Sequence, residues 1–381
     1  MKIYVVQPND SVDAIASSQN VSAQSIIYDN QLVYPYALAV GQALLLSEAD
    51  ALEVPDASAY PAYAGGYAYP FISRWVLQQT LPYLSDLFIF SYGFTTEGEL
   101  IPPLLDDTFM ITMAKDFGVA PILTLTPFGP DGQFSNYLIT RVVNNETAKQ
   151  QLIENLTAQI RERGFEGVDI DFEYILPEDK FAFTDFVREV RTAVNALGFP
   201  VSVALAPKTS DTQTGLLYEG KDYGLLGEAA DYVLLMTYEW GYTYGPAMAV
   251  APINKVRQVV EYALTRIPAE KINLGIPNYG YDWTLPFVRG TSKATTIGNI
   301  EAVQIAIQRG ADILFDETSQ APYFNYIQDN FTHEVWFEDV RSLTAKFNLV
   351  KEYGLRGMSY WQIMQLFRAN WLLLNDTFTI R

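Results

Sequence analysis

From residue 63 onward, short apolar runs alternate along the chain with longer amphipathic stretches. The apolar runs have the length of β-strands and lie at 64–71, 87–94, 120–126, 167–174, 201–206, 232–238, 272–279 and 355–361. The longer stretches repeat apolar residues three or four positions apart, which predicts helices at 147–163, 179–197, 253–266 and 339–353. Alternating strands and helices form parallel βα units, and eight such units predict an α/β fold, the (β/α)8 TIM barrel.

The segment between the seventh and eighth predicted strands is about 75 residues long, far more than a βα unit needs. Within it, 299–309 has the pattern of a helix, and 322–337 that of a hairpin that turns near Gln328. We therefore predict an α+β insertion at about 284–340, which forms a wall beside the barrel mouth. The barrel domain as a whole is predicted at 63–381.

Residues 1–47 carry a separate small pattern. A strand at Ile3–Val6 is followed by two short helices, the second of which begins after Ser22, and by a closing strand at Ala43–Leu46. This order predicts a βααβ domain. Residues 48–59 contain four acidic residues and no basic one, and we predict an acidic linker over 48–62.

Composition narrows the chemistry that the chain can perform. The net charge of −19 disfavours binding to nucleic acid and to anionic membranes, and no apolar run is long enough to span a bilayer. The absence of cysteine and the single histidine disfavour thiolate and histidine metal sites, so we expect neither metal nor cofactor. Only four apolar residues separate Lys2 from Gln7, and we therefore expect no signal peptide.

Three acidic residues, Asp169, Asp171 and Glu173, alternate with apolar residues in the fourth predicted strand. Residues two apart on a strand point the same way, so the three carboxyl groups are predicted to face the barrel interior, with Glu173 nearest the mouth. Crowded buried carboxylates raise one another's pKa, which suits a general acid. The spacing by itself also allows a magnesium site, and catalysis is the favoured interpretation.

The segment from Gly167 to Glu173 resembles the DxxDxDxE signature of glycoside hydrolase family 18, with Glu166 at the first acidic position, where Asp is commoner. Tyr238, in the segment 236–240, is similar to the family's substrate-binding tyrosine, and Trp361 to the tryptophan under the sugar ring. The segment 123–128 lacks the serine-glycine motif of many chitinases.

The resemblance implies a retaining reaction in which the substrate's own 2-acetamido group is the nucleophile. Glu173 would be the acid and then the base, Asp171 would orient the acetamido group, and Asp169 would hydrogen-bond Asp171. Tyr238 would donate to the acetamido oxygen. Further candidates for substrate binding are Trp361 at the end of the eighth strand and four residues at or after the ends of the sixth and seventh strands, Glu239, Asn278, Tyr279 and Trp283. Tyr279 and Trp283 could equally pack the insertion.

Residues 1–47 resemble a LysM module, which binds peptidoglycan and chitin, through motifs that include Tyr4-Val5-Val6 and Gly41-Gln42. Its candidate glycan-binding residues are Asn9, Asp10, Ser11, Asn30 and Leu32. Asn9 replaces the family's usual glycine, and asparagine tolerates the left-handed backbone of such a turn.

Together the two modules resemble the cortex-lytic N-acetylglucosaminidases of bacterial spores. The resemblance implies hydrolysis of N-acetylglucosaminyl linkages in peptidoglycan, at the spore coat or cortex and with spore-coat proteins as potential partners. A cytoplasmic location is the other expectation for a chain without a signal peptide. The alternative functions are a chitin-oligosaccharide hydrolase and a non-catalytic glycan-binding coat protein.

Overall fold

A computed structural model describes residues 1–47, 60–128, 132 and 134–381. Its strands, in chain order, are β1 Lys2–Val5, β2 Ala43–Leu46, β3 Tyr60–Ala68, β4 Asp86–Phe94, β5 Leu100–Ile101, β6 Ala120–Leu125, β7 Val168–Ile170, β8 Val201–Leu205, β9 Tyr232–Leu235, β10 Ile272–Pro277, β11 Gly280–Thr284, β12 Thr295–Ile297, β13 Leu314–Asp316, β14 Ala321–Gln328, β15 Phe331–Trp336, β16 Gly357–Trp361 and β17 Phe378–Ile380.

The α-helices of the described residues are α1 Val12–Gln19, α2 Ala23–Asp29, α3 Arg74–Thr80, α4 Thr108–Asp116, α5 Asn136–Val143, α6 Glu146–Arg163, α7 Lys180–Asn195, α8 Tyr223–Ala229, α9 Ile253–Leu264, α10 Asn299–Arg309, α11 Val340–Tyr353 and α12 Arg368–Thr377. The long predicted helices match α6, α7, α9 and α11 to within two residues at each end. No helix in this part of the chain is long and apolar enough to cross a membrane.

The barrel closes through eight parallel strands in the order β3, β4, β6, β7, β8, β9, β10 and β16, because β16 also pairs with β3. This closure confirms the predicted (β/α)8 barrel. Helices cover the outside and bury their apolar faces against the strands, as α6 does with Leu152, Leu156 and Ile160. The carboxyl ends of the strands converge at one mouth, where barrel active sites lie.

The first barrel strand begins earlier than the sequence predicted. β3 spans Tyr60–Ala68, where the prediction was 64–71, and its first residues pair with β17 through Tyr60 and Phe378. Residues 60–62 therefore belong to the barrel and not to the predicted linker. The rest of that linker, 48–59, lies outside the described residues.

The insertion after the seventh barrel strand is a five-stranded antiparallel sheet, ordered β12, β11, β15, β14 and β13, with α10 packed on it. The predicted helix and hairpin are confirmed by α10 and by the pair β14 and β15. The seventh strand ends at Pro277 and the insertion begins at Gly280, four residues before the predicted boundary.

The N-terminal domain has the predicted βααβ order, with β1 and β2 paired antiparallel. Ser11 and Ser22 cap the two helices by accepting hydrogen bonds from Ala14 N and Ser25 N. Capping hydroxyls satisfy backbone donors that a short helix leaves unpaired.

The N-terminal domain packs directly on the barrel and the insertion. Arg368 at the start of α12 donates its backbone N–H to Gln31 Oε1 at 2.6 Å and places its guanidinium 4.0 Å from the centre of the Tyr28 ring. Ile313 N donates to Val40 O at 2.8 Å, and Leu45 is part of the main hydrophobic core. The small domain is therefore held in a fixed orientation by the rest of the chain.

The buried carboxyl group of Asp86 makes the stability of the barrel depend on pH. Burial raises its pKa to about 6, against the attraction of Arg356. A raised folded-state pKa favours the folded state at low pH, so stability falls as pH rises through 6. The free energy of unfolding of the unmodified protein should fall between pH 5 and pH 7.5. We expect this fall to be about 1 to 2 kcal/mol smaller in Asp86→Asn, as measured by urea denaturation at the two pH values.

The exposed Asp312 provides the control for this measurement. Asp312→Asn should keep the pH dependence of the unmodified protein. An Asp86→Asn protein whose stability falls with pH as steeply as the unmodified chain would contradict the assignment.

Candidate active site

The three acidic residues of the fourth strand lie at the barrel mouth, although the strand is shorter than predicted. β7 ends at Ile170, so only Asp169 is on the strand, and Asp171 and Glu173 follow its carboxyl end. Asp169 is completely buried, Asp171 is nearly so, and Glu173 is partly exposed. The acids thus run from the interior of the barrel outward to the opening.

Asp169 is held by two hydroxyl groups. Tyr67 Oη donates to Asp169 Oδ2 at 2.8 Å, and Ser202 Oγ donates to Oδ1 at 2.6 Å. These bonds lower the pKa of Asp169, but burial outweighs them and raises it to about 6. The described residues Asp169 and Asp171 are not hydrogen-bonded to each other. In place of the predicted direct contact, the hydroxyl groups of Tyr67 and Ser202 on two other strands hold Asp169.

Tyr67 and Ser202 are site residues that the sequence did not reveal. Tyr67 is buried on its strand and stacks on Phe88, with ring centres 4.4 Å apart. Its hydroxyl nevertheless reaches Asp169 across the barrel. Because Tyr67 and Asp169 are far apart in sequence, only the closed barrel brings them together.

Asp171 and Glu173 share one electrostatic environment. Burial, followed by the charges of Glu173 and Asp169, raises the pKa of Asp171 well above its ordinary value. Burial also raises the pKa of Glu173, against the charge of Lys221. Asp171 Oδ1 is buried and has no hydrogen-bond partner among the described residues. Burial therefore favours the protonated form of both carboxyl groups, and the charge of each opposes ionisation of the other.

Lys221 is a buried cation beside these acids that the sequence analysis missed. Its side chain is about 1% exposed, and Nζ donates to the carbonyl oxygen of Ala204 at 3.0 Å. It lies in the loop between β8 and α8, outside any motif.

Tyr238 follows β9 and faces the acids from the far side of the mouth. The side chain is nearly buried, and its hydroxyl has no hydrogen-bond partner in the described chain. Burial and then the charge of Asp171 raise its pKa well above the ordinary value, so the hydroxyl keeps its proton. Gly275 makes room for this ring, because a Cβ there would lie 2.8 Å from Tyr238 Cε1. Tyr238 thus offers an unused hydrogen-bond donor.

Trp361 ends β16 and forms part of an aromatic surface across the mouth. Its ring meets those of Phe90 at 4.9 Å, Tyr67 at 5.7 Å and Tyr69 at 6.0 Å between centres. Tyr69 stacks on Phe71, which is 65% exposed, so the surface continues outward into solvent. Aromatic faces of this kind suit the apolar faces of sugar rings.

Glu239 stands beside Tyr238 with a left-handed backbone, at φ +67°. Its Oε1 accepts hydrogen bonds from the hydroxyls of Tyr279 and, at 2.9 Å, of Tyr281. Tyr279 is therefore buried and occupied in holding Glu239, in place of the predicted direct contact with substrate. Glu239 itself is exposed at the opening.

Two other predicted binding residues have structural roles. Asn278 is buried, and its amide nitrogen donates to the carbonyls of Gln362 at 3.1 Å and Gln365 at 3.0 Å. Trp283 is about 1% exposed and donates Nε1 to Gly245 O at 2.9 Å. Both side chains hold loops and leave little exposed surface for a sugar, so their contact with substrate stays a prediction.

In the N-terminal domain, Asn30 and Leu32 are likewise structural. Asn30 is buried and exchanges hydrogen bonds with the backbone of Leu45, and Leu32 lies in the small core of the domain. Both side chains are buried, and their predicted contact with glycan stays a prediction. Their structural roles follow from their burial, which the sequence pattern did not show.

The turn before α1 has the predicted left-handed residue, Asn9, at φ +70°. Asp10 accepts from Tyr4 Oη and from Gln7 N, so its carboxylate fixes this turn, and Ser11 is the cap already described. A pair of exposed rings in the other loop, Tyr34 and Tyr36, was missed: they are 81% and 38% exposed, with ring centres 5.7 Å apart.

The mouth thus combines a carboxyl group that can give and take a proton, a buried acid beside it, a free hydroxyl donor and an aromatic floor. This set suits acid-catalysed cleavage of an acetal held against the floor. Among the described residues, no group of three or more His, Cys, Asp or Glu side chains is arranged to hold a metal ion.

Models of two known families match the chain. The model of glycosyl hydrolases family 18 matches residues 128–365, and that of the LysM domain matches residues 4–47. The cortical fragment-lytic enzyme of Bacillus subtilis (strain 168) is 40% identical over 428 aligned residues, which cover 100% of this chain and 99% of that protein.

Solved structures agree with these matches. The crystal structure of the spore cortex-lytic enzyme SleL of Bacillus cereus superposes with a TM-score of 0.92 at 32% identity, over 100% of this chain and 99% of its own. A chitinase of Chromobacterium violaceum, 24% identical, shares the fold with a TM-score of 0.76 over 83% of this chain and 98% of its own. The chain therefore belongs to glycosyl hydrolase family 18 and carries an N-terminal LysM domain.

Proposed function

We propose that this glycosidase hydrolyses N-acetylglucosaminyl linkages in the peptidoglycan of the spore cortex, with retention of configuration. The observation that carries the proposal is the placement of Glu173, at the outer end of a buried acid cluster and near Tyr238. The names of the relatives, a cortical fragment-lytic enzyme and a spore cortex-lytic enzyme, support the choice of polymer. Both LysM and family 18 domains support binding of N-acetylglucosamine glycans.

In the first step, Glu173 gives its proton to the glycosidic oxygen while the bond from that oxygen to the anomeric carbon breaks. The carbonyl oxygen of the sugar's own 2-acetamido group forms the new bond to this carbon from the opposite face. The product is an oxazolinium ion, and the leaving sugar departs with the proton. The raised pKa of Glu173 favours the protonated form that this step needs.

Asp171 and Tyr238 hold the acetamido group for this attack. As a carboxylate, Asp171 accepts the acetamido N–H and stabilises the positive charge that develops there. Tyr238 donates its free hydroxyl to the acetamido oxygen and fixes the line of attack. Asp169, held by Tyr67 and Ser202, makes no direct bond to Asp171, and its negative charge helps to stabilise the positive charge that develops on the acetamido group.

In the second step, the Glu173 carboxylate takes a proton from water while the water oxygen bonds to the anomeric carbon. The bond from that carbon to the acetamido oxygen breaks, which restores the acetamido group and the protonated acid. Two inversions at one carbon give net retention. Trp361 supports the sugar ring from below, and the exposed Glu239 can accept from a sugar hydroxyl.

The LysM domain would hold the same polymer at a second place. Its exposed Tyr34 and Tyr36 add an aromatic contact to the turn at Asn9. Action at the cortex follows from the relatives' names, while the partnership with spore-coat proteins stays a prediction.

A chitin-oligosaccharide hydrolase and a non-catalytic coat protein are the competing functions. Incubation with cortex fragments and with chitin oligomers, followed by mass spectrometry of the products, separates the three. Products with N-acetylglucosamine ends from cortex are the expected result. Cleavage of chitin oligomers only would replace the proposed substrate, and silence on both would favour the binding protein. Proton NMR of the first product should show the β anomer.

Replacement of Glu173 by Gln removes the transferable proton and leaves the shape nearly unchanged. We expect activity on cortex fragments to fall at least about 100-fold, as for loss of a general acid. Glu178→Gln, at an exposed position five residues further along, is the control and should keep full activity. Retention of more than a few per cent of activity by Glu173→Gln would overturn the assignment.

The two exposed tyrosines test the LysM domain. Deletion of 1–47 would remove Leu45 from the main hydrophobic core and expose the barrel residues that it covers, so point variants are the better tool. We expect Tyr34→Ala with Tyr36→Ala to weaken binding to insoluble cortex about tenfold, or about 1.4 kcal/mol, with unchanged kcat/KM on a short soluble N-acetylglucosaminide.

Phe117→Ala provides the matched control, since this exposed ring lies just before β6 at the end of the barrel away from the mouth. It should alter neither quantity. Equal losses on both substrates in the tyrosine variant would show that the domain acts on the fold and not on the polymer.

A further inference from the structure

We propose that Lys221 is a positioning residue for the reaction, whose buried ammonium group partly offsets the negative charge of the acid cluster, so that Asp171 can ionise while Glu173 carries the proton. This inference rests on the proposed function and assigns a role to a residue outside the recognised motifs. It is supported by the position of the ammonium group, by the contacts that fix the loop of Lys221, and by the charges around the ammonium group.

The ammonium group of Lys221 lies next to the acid segment. It donates to the carbonyl of Ala204 on β8, and β8 pairs with β7 in a register that sets Ile170 opposite Val203. Asp171 is the first residue after β7, and extension of this register by one residue sets it opposite Ala204. Neighbouring strands are about 4.8 Å apart, so the hydrogen bond places the cation beside the backbone of Asp171.

The loop of Lys221 is fixed against the acid segment from two sides. Gly220 approaches Ile175, two residues beyond Glu173, so closely that a Cβ there would lie 2.1 Å from the Ile175 carbonyl oxygen. On the other side, Lys208 is buried and donates Nζ to the carbonyl of Lys221 at 2.9 Å. The cation therefore has little freedom to move away from the acids.

The charges facing Lys221 are those of Asp171, Glu173 and Asp169, in decreasing order of effect. Glu173 in turn faces Tyr174, and its negative charge raises the pKa values of Tyr238 and Glu239. Burial lowers the pKa of Lys221, and the three acids raise it. The described residues show no contact ion pair between Lys221 and these acids, so the cation acts through its field in a dry site.

This arrangement answers a requirement of the mechanism. Asp171 must be ionised to orient the acetamido N–H, while Glu173, close by, must be protonated. Two buried acids without a cation would both tend to hold protons. A fixed positive charge lowers the pKa of both carboxyl groups, which lets Asp171 release its proton at a lower pH than the site would otherwise allow.

The test is the pH dependence of kcat in Lys221→Met and in Lys221→Gln, which keeps a donor for Ala204 but has no charge. Without the cation, both acids bind protons more strongly, so both limbs of the profile should move to higher pH by about one unit. The change should lie mainly in kcat, because Asp171 acts on the reacting group. If one variant does not fold, the other gives the measurement.

Lys208→Met is the matched control. Lys208 is a second buried lysine of the same loop, but the charges that act on it are Asp211, Asp222, Lys180 and Arg266, and not the acid cluster. Loss of its bond to the Lys221 carbonyl tests support of the loop alone, because the cation remains and Gly220 still holds the loop against Ile175. We expect the pH profile to stay in place, even if activity falls.

The outcomes are distinct. A folded Lys221 variant with an unshifted profile overturns this inference, whether its activity is normal or uniformly lowered, since a uniform loss indicates support of the loop only. An unmodified protein that is inactive on every N-acetylglucosaminide overturns the proposed function instead. A shift in the Lys221 variants but not in Lys208→Met supports the inference.

Discussion

Burial of several carboxyl groups at one end of a barrel is the constraint on which the rest of the site depends. Each ionised acid that leaves water must gain hydrogen bonds or an opposite charge, or else remain protonated. Asp169 gains two hydroxyls, from Tyr67 and Ser202. Asp171 gains no hydrogen bond at Oδ1, and its site contains the buried cation of Lys221. The difference between these two neighbours creates an unsatisfied acid where a substrate amide can bind.

The mouth is supported by parts of the chain that do not face the substrate. Tyr279, just before the insertion, and Tyr281 within it hold Glu239 by its Oε1. Trp283 of the insertion anchors the loop at Gly245. The LysM domain is fixed to the barrel and the insertion rather than suspended from them, with Leu45 in the main core. A fixed domain restricts how a polymer held by the LysM surface can approach the catalytic opening.

Much of the architecture could be predicted, because strand and helix periodicity reflects burial directly. The barrel, the insertion and the βααβ domain all follow from it. Individual contacts are harder. Asn278 and Asn30 have the chemistry of sugar-binding residues, yet both bind backbone carbonyls in the interior. An amide makes the same bonds in either setting, so only its surroundings decide its role.

The order of the acids follows from their positions in the chain, because Asp169, Asp171 and Glu173 come one after another as the chain leaves β7 toward the mouth. Which of them is hydrogen-bonded and which is free depends on the fold around them. Tyr67 and Lys221 come from other strands and loops, and no local pattern marks them, because each acts through a contact that exists only after the barrel has closed. The acidity of the site is therefore a property of the closed barrel as a whole.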